Sequence, residues 1–236
     1  SHDGAAMHLD AVRSILASFG LSESDLQNTP AASLSDPSPD APTSSLRQNC
    51  SGKHAAMLAT CVVNGWPIES YLDVEHPLQV AITAGMADLG CTVHHVGVDG
   101  CGAPTHALAI DELARAFGML ASNGSDVARA MRANPMLVGG TSCDTWWMEA
   151  VEGVMAKVGA AGVMALGLAD GRALAFKIAD GSGVARQVVL PEALRTIGVD
   201  VDVIAPPTVA RSAVAMLGHG REVGQLVALG WSPWSS

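Results

Sequence analysis

Apolar residues recur at helical spacing from the start of the chain. Leu9, Val12, Ile15, Leu16 and Phe19 form one stripe, and Gly20 follows as a stop. From Asn28 to Leu46 the periodicity disappears, and four prolines among serines and threonines predict a long surface loop or lid. A helix is predicted from about Lys53 to Asn64, with Met57, Leu58 and Val62 on its apolar stripe and Gly65-Trp66-Pro67 ending it. His76–Leu89 reads as a third helix, with Pro77 tolerated in its first turn. Thr92–Val98 is β-rich and runs into the tight turn Asp99-Gly100-Cys101-Gly102-Ala103-Pro104.

Further helices are predicted at 110–121, 125–133 and 146–158, with a Gly-rich loop over 134–144 between the last two. Strands are predicted at 162–168, 173–179 and 185–190, the first two joined by the hairpin turn Ala169-Asp170-Gly171-Arg172. A short helix over 192–197 and a strand over 221–229 complete the pattern. Helices first and a late run of strands on short turns predict an α+β domain, an antiparallel sheet packed with helices. No Gly-rich phosphate loop opens a helix after a strand, which disfavours a doubly wound nucleotide fold. With no internal repeat and no linker, residues 1–236 read as one domain carrying the 28–46 loop.

Composition narrows the classes. Of 236 residues 49% are apolar and 15% charged, a balance that builds a core rather than a disordered chain. The net charge of −10 argues against nucleic acid or an anionic membrane as partner. The longest uncharged apolar stretch, Val158–Ala169, falls short of the roughly 20 residues that span a bilayer. No basic, apolar leader opens the sequence, and the five cysteines (Cys50, Cys61, Cys91, Cys101, Cys143) are an odd number. Both features point to reduced thiols and a cytoplasmic location, with Cys61, Cys91 and Cys143 as incidental thiols.

Lysine is scarce: only Lys53, Lys157 and Lys177 stand against ten arginines. A retained lysine is a candidate for an amine that must lose its proton, which arginine cannot do. Lys53 lies in Asn49-Cys50-Ser51-Gly52-Lys53-His54, where thiol, hydroxyl, amine and imidazole crowd a helix start. Ser51 reads either as part of this cluster or as a simple N-cap of the helix. A second cluster, Asp99-Gly100-Cys101-Gly102, sits at a strand end, and with Cys50 it offers thiols for zinc, although two cysteines 51 positions apart match no finger spacing. Lys177, among apolar neighbours in a strand, reads as a desolvated general base for a serine or as an edge lysine facing solvent. Lys157 is predicted on a helix away from every motif, so that Lys157→Arg is expected to be neutral. His94, His95, Trp146 and Trp147 read as structural.

Taken together, Asn-Cys-Ser-Gly-Lys-His with the following Ala-Ala-Met-Leu, then Val-Asp-Gly-Cys-Gly-Ala-Pro, Asn-Pro-Met-Leu-Val-Gly-Gly and Phe-Lys-Ile-Ala-Asp-Gly resemble, in this order, the rhizobial-type (class 3, asparaginase II-type) L-asparaginases. The resemblance implies a serine β-lactamase-like, glutaminase-like fold, usually a homodimer, that hydrolyses L-asparagine to L-aspartate and ammonia. It implies zinc on Cys50, Lys53 and Cys101, with His54 and Asp99 beside the metal or touching the amino-acid substrate together with Ser51. It pairs Ser1 of the Ser-His-x-Gly motif with Lys177 as nucleophile and base.

The family's members carry a Ser-x-x-Lys segment ahead of the Ser-His motif, which this sequence does not show. It also lacks a Cys-Gly-x-His pattern after Asn28 and an arginine within 139–145. Two alternatives follow: hydrolysis by a zinc-bound water, and an amino-acid-binding relative impaired in catalysis.

Overall fold

The computed structural model describes residues 2–36, 38–201 and 213–229. Eight helices, α1 (Ala6–Ser18), α2 (Ser51–Asn64), α3 (Pro77–Asp88), α4 (Ile110–Ser122), α5 (Asp126–Ala133), α6 (Pro135–Gly139), α7 (Cys143–Ala150) and α8 (Gly183–Thr196), alternate with seven strands among the described residues. The strands are β1 (His95–Val98), β2 (Pro104–Ala107), β3 (Met155–Val158), β4 (Val163–Gly167), β5 (Ala173–Lys177), β6 (Ala213–Gly218) and β7 (Arg221–Val227). Every strand pair is antiparallel, in the sheets β1-β2, β3-β4-β5 and β6-β7, so the architecture is α+β as the pattern implied. No described helix is long and apolar enough to cross a membrane.

The chain forms two compact units. The first comprises Ser1–Glu112 with Met136–Ser142, the second Leu113–Pro135 with Cys143–Ser236. In the first unit α1 packs on α2 around Leu9, Val12, Leu16, Ala55, Leu58, Cys61 and Tyr71. The buried stripe of α2 is Ala55-Leu58-Cys61, one position off the expected one, and Val62 faces solvent. The helix begins at Ser51, two residues earlier than the pattern suggested, and ends where Gly65 adopts the left-handed conformation (φ 66°) that a Cβ disfavours. His76 caps α3 by accepting the Leu78 N–H on Nδ1 (3.1 Å).

The loop over 28–46 is pinned rather than loose. Asn28 Nδ2 donates to the Ser45 carbonyl (2.7 Å), Ser45 Oγ to the Asn28 carbonyl (2.7 Å), and Ala31 bridges Ser44. Ser35 N–H donates to the Asp3 carbonyl (2.7 Å), and Leu46 is buried in the core.

The second unit corrects three expectations. The helix expected over 146–158 stops at Ala150; the chain turns at Gly153 (φ 73°) and Met155–Val158 becomes β3. Residues 185–190, expected as a strand, lie in α8, because Ser182 Oγ caps the helix by accepting the Ala185 N–H (3.1 Å) and Val188, Leu190 and Leu194 are buried along it. The short helix expected over 192–197 is the end of α8, which carries Pro191 within it. Glycine lets α4 approach the sheet: a Cβ on Gly167 would stand 2.3 Å from the Phe117 carbonyl oxygen. The strand expected over 221–229 is β7, paired with β6, which the hydropathy pattern did not reveal.

Candidate active site

The first unit brings the two cysteine turns together. Cys50 occupies the N-cap of α2, the place expected for Ser51, and its N–H donates to Gln48 Oε1 (2.8 Å). Gln48 is itself fixed by Asn28 Nδ2 (3.0 Å), so the pinned loop holds the residue that holds the cysteine turn. Cys101 is buried at the tip of the β1–β2 hairpin, in a turn closed by Gly102 N–H to the Asp99 carbonyl (2.8 Å). Gly102 has φ 90°, a conformation that glycine alone adopts without strain.

Lys53 projects from the first turn of α2 between these elements. Its Nζ donates to Cys101 Sγ (3.2 Å) and lies 3.5 Å from Asp99 Oδ2. Burial disfavours the ammonium, but Cys101, Cys50 and Asp99 together outweigh it and hold the amine above its ordinary pKa. Two thiols, an amine and a carboxylate therefore share one environment. The 3.2 Å separation of amine and thiol is that of an N–H···S hydrogen bond, somewhat shorter than the roughly 3.5 Å between the nitrogen and sulfur ligands of a tetrahedral zinc. Among the described residues no three His, Cys, Asp or Glu side chains converge on a metal position, so a metal here requires Lys53 as a donor. No disulfide joins the five cysteines.

His54, next on the helix, is fully buried. Its Nδ1 lies 2.7 Å from Tyr71 Oη, and its Nε2 has no hydrogen-bond partner among the described residues. Burial first, then the Lys53 charge, pushes its pKa down to about 4, against a smaller opposing pull from Asp99, so the ring is neutral at physiological pH. Burial likewise pushes the Tyr71 hydroxyl up to about 12. Tyr71 escaped sequence analysis although one signal was present: it is the only tyrosine in the chain.

Ser51 is also fully buried, and its Oγ faces His2 Nε2 at 3.0 Å. Because Gly4 N–H donates to His2 Nδ1 (3.1 Å), the His2 proton sits on Nε2 and the imidazole donates to Ser51. His2 N–H donates to the Asn49 carbonyl (3.0 Å), so the peptide following Ser1 is clamped against the residue before Cys50. Ser1 itself lies outside the described residues.

Asp3 ties down the Gly-Gly-Thr segment. It accepts the N–H groups of Ala5 (3.1 Å) and Thr141 (3.0 Å) and the Thr141 hydroxyl (3.2 Å), and a Cβ on Gly140 would stand 2.2 Å from its carboxyl group. His8 Nδ1 is 3.0 Å away in a charge contact rather than an aligned hydrogen bond, and its ring stacks on that of His2 at 4.9 Å. Burial alone would raise the Asp3 pKa, but the two N–H donors, His8 and the Thr141 hydroxyl lower it on balance. A lowered folded pKa contributes stability that is full above the unfolded carboxylate value of about 3.9 and disappears as pH falls through the folded one. Asp3→Asn is therefore expected to cost about 1–3 kcal/mol near neutral pH, and variant and wild type should converge in strong acid, as read by urea midpoints across pH.

Of the two readings of Lys177, desolvated base or edge lysine facing solvent, the structure shows the second. Leu174 and Phe176 point inward from β5, and the alternation turns Ala173, Ala175 and Lys177 outward. Lys177 is exposed, and its Nζ donates to the Ile178 carbonyl (2.5 Å).

Thiol, amine, carboxylate and neutral imidazole groups thus stand together on two turns of the first unit. The L-asparaginase II family model matches residues 1–228, and the chain belongs to that family, a family of amide-hydrolysing enzymes. Among curated proteins none matches the chain.

Proposed function

We propose that this protein hydrolyses the side-chain amide of L-asparagine to L-aspartate and ammonia through a serine–lysine acyl-enzyme route. The observation that carries the reading is the meeting of the two motif turns, with Lys53 Nζ 3.2 Å from Cys101 Sγ, in a chain that belongs to this family over 1–228. Ser1 is the nucleophile: its hydroxyl attacks the amide carbon while the Lys177 amine takes the proton. The same amine returns the proton to the departing ammonia, and water then cleaves the ester, restoring Ser1. The first-turn N–H groups of α2 at Gly52 and Lys53 have no intrahelical acceptor and are suited to receive developing oxyanion charge. His54, Asp99 and Ser51 belong to the substrate side of the cluster.

Zinc held by Cys50, Lys53 and Cys101 fits this donor set, and when bound it supplies charge that positions the substrate and tunes the site. Because both thiols and the amine must shed their protons, zinc retention is expected to weaken as pH falls. Elemental analysis of the protein purified without chelator should give about one zinc per chain, and Lys53→Met or Cys101→Ser should lose it. Absence of zinc from the wild type would remove the metal from this reading. The fold is proposed to be of the serine β-lactamase-like, glutaminase-like kind, and the protein to act as a cytoplasmic homodimer.

The deciding assay is ammonia and aspartate release from L-asparagine by the zinc-replete full chain, with L-glutamine in parallel. Equal molar amounts of both products are expected. No release from asparagine overturns the assignment, and aspartate binding without turnover marks an amino-acid-binding relative instead.

A further inference from the structure

We infer that Tyr71 is a positioning residue that holds His54 as its Nε2–H tautomer, so that the buried imidazole presents a single N–H to an acceptor oxygen of the bound amino acid. The inference rests on the reading of this cluster as the substrate site.

Tyr71 is fully buried, and its Oη accepts the Gln27 backbone N–H (3.1 Å). That amide can only donate, so it takes up oxygen lone-pair density and leaves the hydroxyl hydrogen to be placed. The acceptor within reach of that hydrogen among the described residues is His54 Nδ1, at 2.7 Å. The hydroxyl therefore donates to Nδ1, Nδ1 holds a lone pair, and the ring proton resides on Nε2.

Tyr71 is held from behind. Gln79 Nε2 donates to the Tyr71 carbonyl (2.7 Å), and Gln27 Nε2 donates to the Glu69 carbonyl (2.9 Å), which fixes the segment that carries Tyr71. The two rings meet edge to face with centroids 5.7 Å apart and an interplanar angle of 79°. His54 Nε2 is buried and has no partner among the described residues. A buried N–H left without an acceptor is costly, and such a group in a native fold calls for a ligand, water or ion to receive it. An amino-acid substrate brings carboxylate and amide oxygens, all acceptors. The opposite tautomer would turn a lone pair toward them and repel them.

Long-range 1H–15N correlation spectra of the full chain report each histidine's tautomer, with the His54 signals assigned by their loss in His54→Gln. The expected spectrum shows Nδ1 unprotonated but hydrogen-bonded and Nε2 protonated. Tyr71→Phe should move the Nδ1 resonance toward that of a free unprotonated nitrogen, and L-aspartate should shift Nε2. In the same variant KM for L-asparagine should rise about tenfold with kcat changed far less, the mark of lost binding rather than lost chemistry.

Leu194→Ala, a core change in α8 of the second unit, controls for stability: it should lower the melting temperature while leaving KM unchanged. A proton on Nδ1 in the wild type, an Nδ1 resonance indifferent to Tyr71→Phe, or an equal rise of KM in Leu194→Ala overturns the role of Tyr71. If the wild type neither turns over asparagine nor binds aspartate, the substrate reading falls, and the nitrogen resonances still decide whether Tyr71 sets the tautomer.

Discussion

Lys177→Arg is expected to lower asparagine turnover at least about 10²-fold while leaving the melting temperature unchanged. The loss of turnover rests on the proposed pairing of Ser1 with Lys177, and the unchanged melting temperature on where Lys177 sits. As the outward-facing last residue of β5 it is exposed, and no core contact depends on its stem, so a longer cationic side chain is accommodated without strain. Arginine retains the charge and can still donate to the Ile178 carbonyl, yet it holds its proton at any pH the protein survives. What disappears is the free amine that accepts the serine proton. Ser1→Ala should cause a loss of similar size, and the double variant should be no worse than either single one, because the two groups act as a unit. Full turnover in Lys177→Arg, measured by ammonia release, would show that the proton leaves Ser1 by another route.

Asp144→Ala is expected to destabilise the protein by about 3–5 kcal/mol, the largest stability effect anticipated in the second unit. The Asp144 carboxylate at the start of α7 has no solvent exposure. Its Oδ2 accepts from Lys157 Nζ (2.7 Å) and from the Val158 N–H (3.1 Å), and its Oδ1 accepts from the Thr145 N–H (3.1 Å). One side chain thus joins a helix start to the strand that borders the three-stranded sheet. Lys157→Met should cost a comparable amount, since it leaves the carboxylate buried without its cation. The paired replacement Asp144→Leu with Lys157→Met should recover much of the loss, because desolvating two charges offsets most of what their attraction returns. Urea midpoints of the three variants make the comparison, and additive losses would show that the two residues are not coupled. Lys157→Arg is not neutral on this structure, contrary to the expectation that the residue lies on a helix away from the motifs: a planar guanidinium must replace a compact ammonium at a 2.7 Å contact.

The elements that were legible share a property: the information that shapes them is local. The α1 stripe, the Gly65 stop of α2, the proline start of α3 and the Asp-Gly turn between β4 and β5 each depend on residues within one or two turns of chain. Where local signals were balanced, the expectation failed. Val184–Leu190 carries β-branched residues that suit a strand, and the Ser182 cap together with burial of one face made it helix. Val151–Val158 has no break strong enough to end a helix by pattern alone; Gly153 packs its bare Cα face against Ala169, 3.0 Å from where a Cβ would stand, and the chain reverses into β3.

By itself the sequence determined the family, the class of chemistry and the residues that could perform it: Cys50, Lys53 and Cys101 were singled out by residue type and motif before any contact was known. The tertiary structure decided which of those residues meet. It set Lys53 against Cys101 and Asp99 across gaps of 48 and 46 residues, placed Tyr71 on His54, and buried Ser51 against His2. It also turned Lys177 outward, where its neighbours in sequence had left burial and exposure both open. The physical reason is that residue type limits what a side chain can do, whereas its proton, its charge and its partner depend on groups brought near by the path of the chain, at distances that no local pattern encodes.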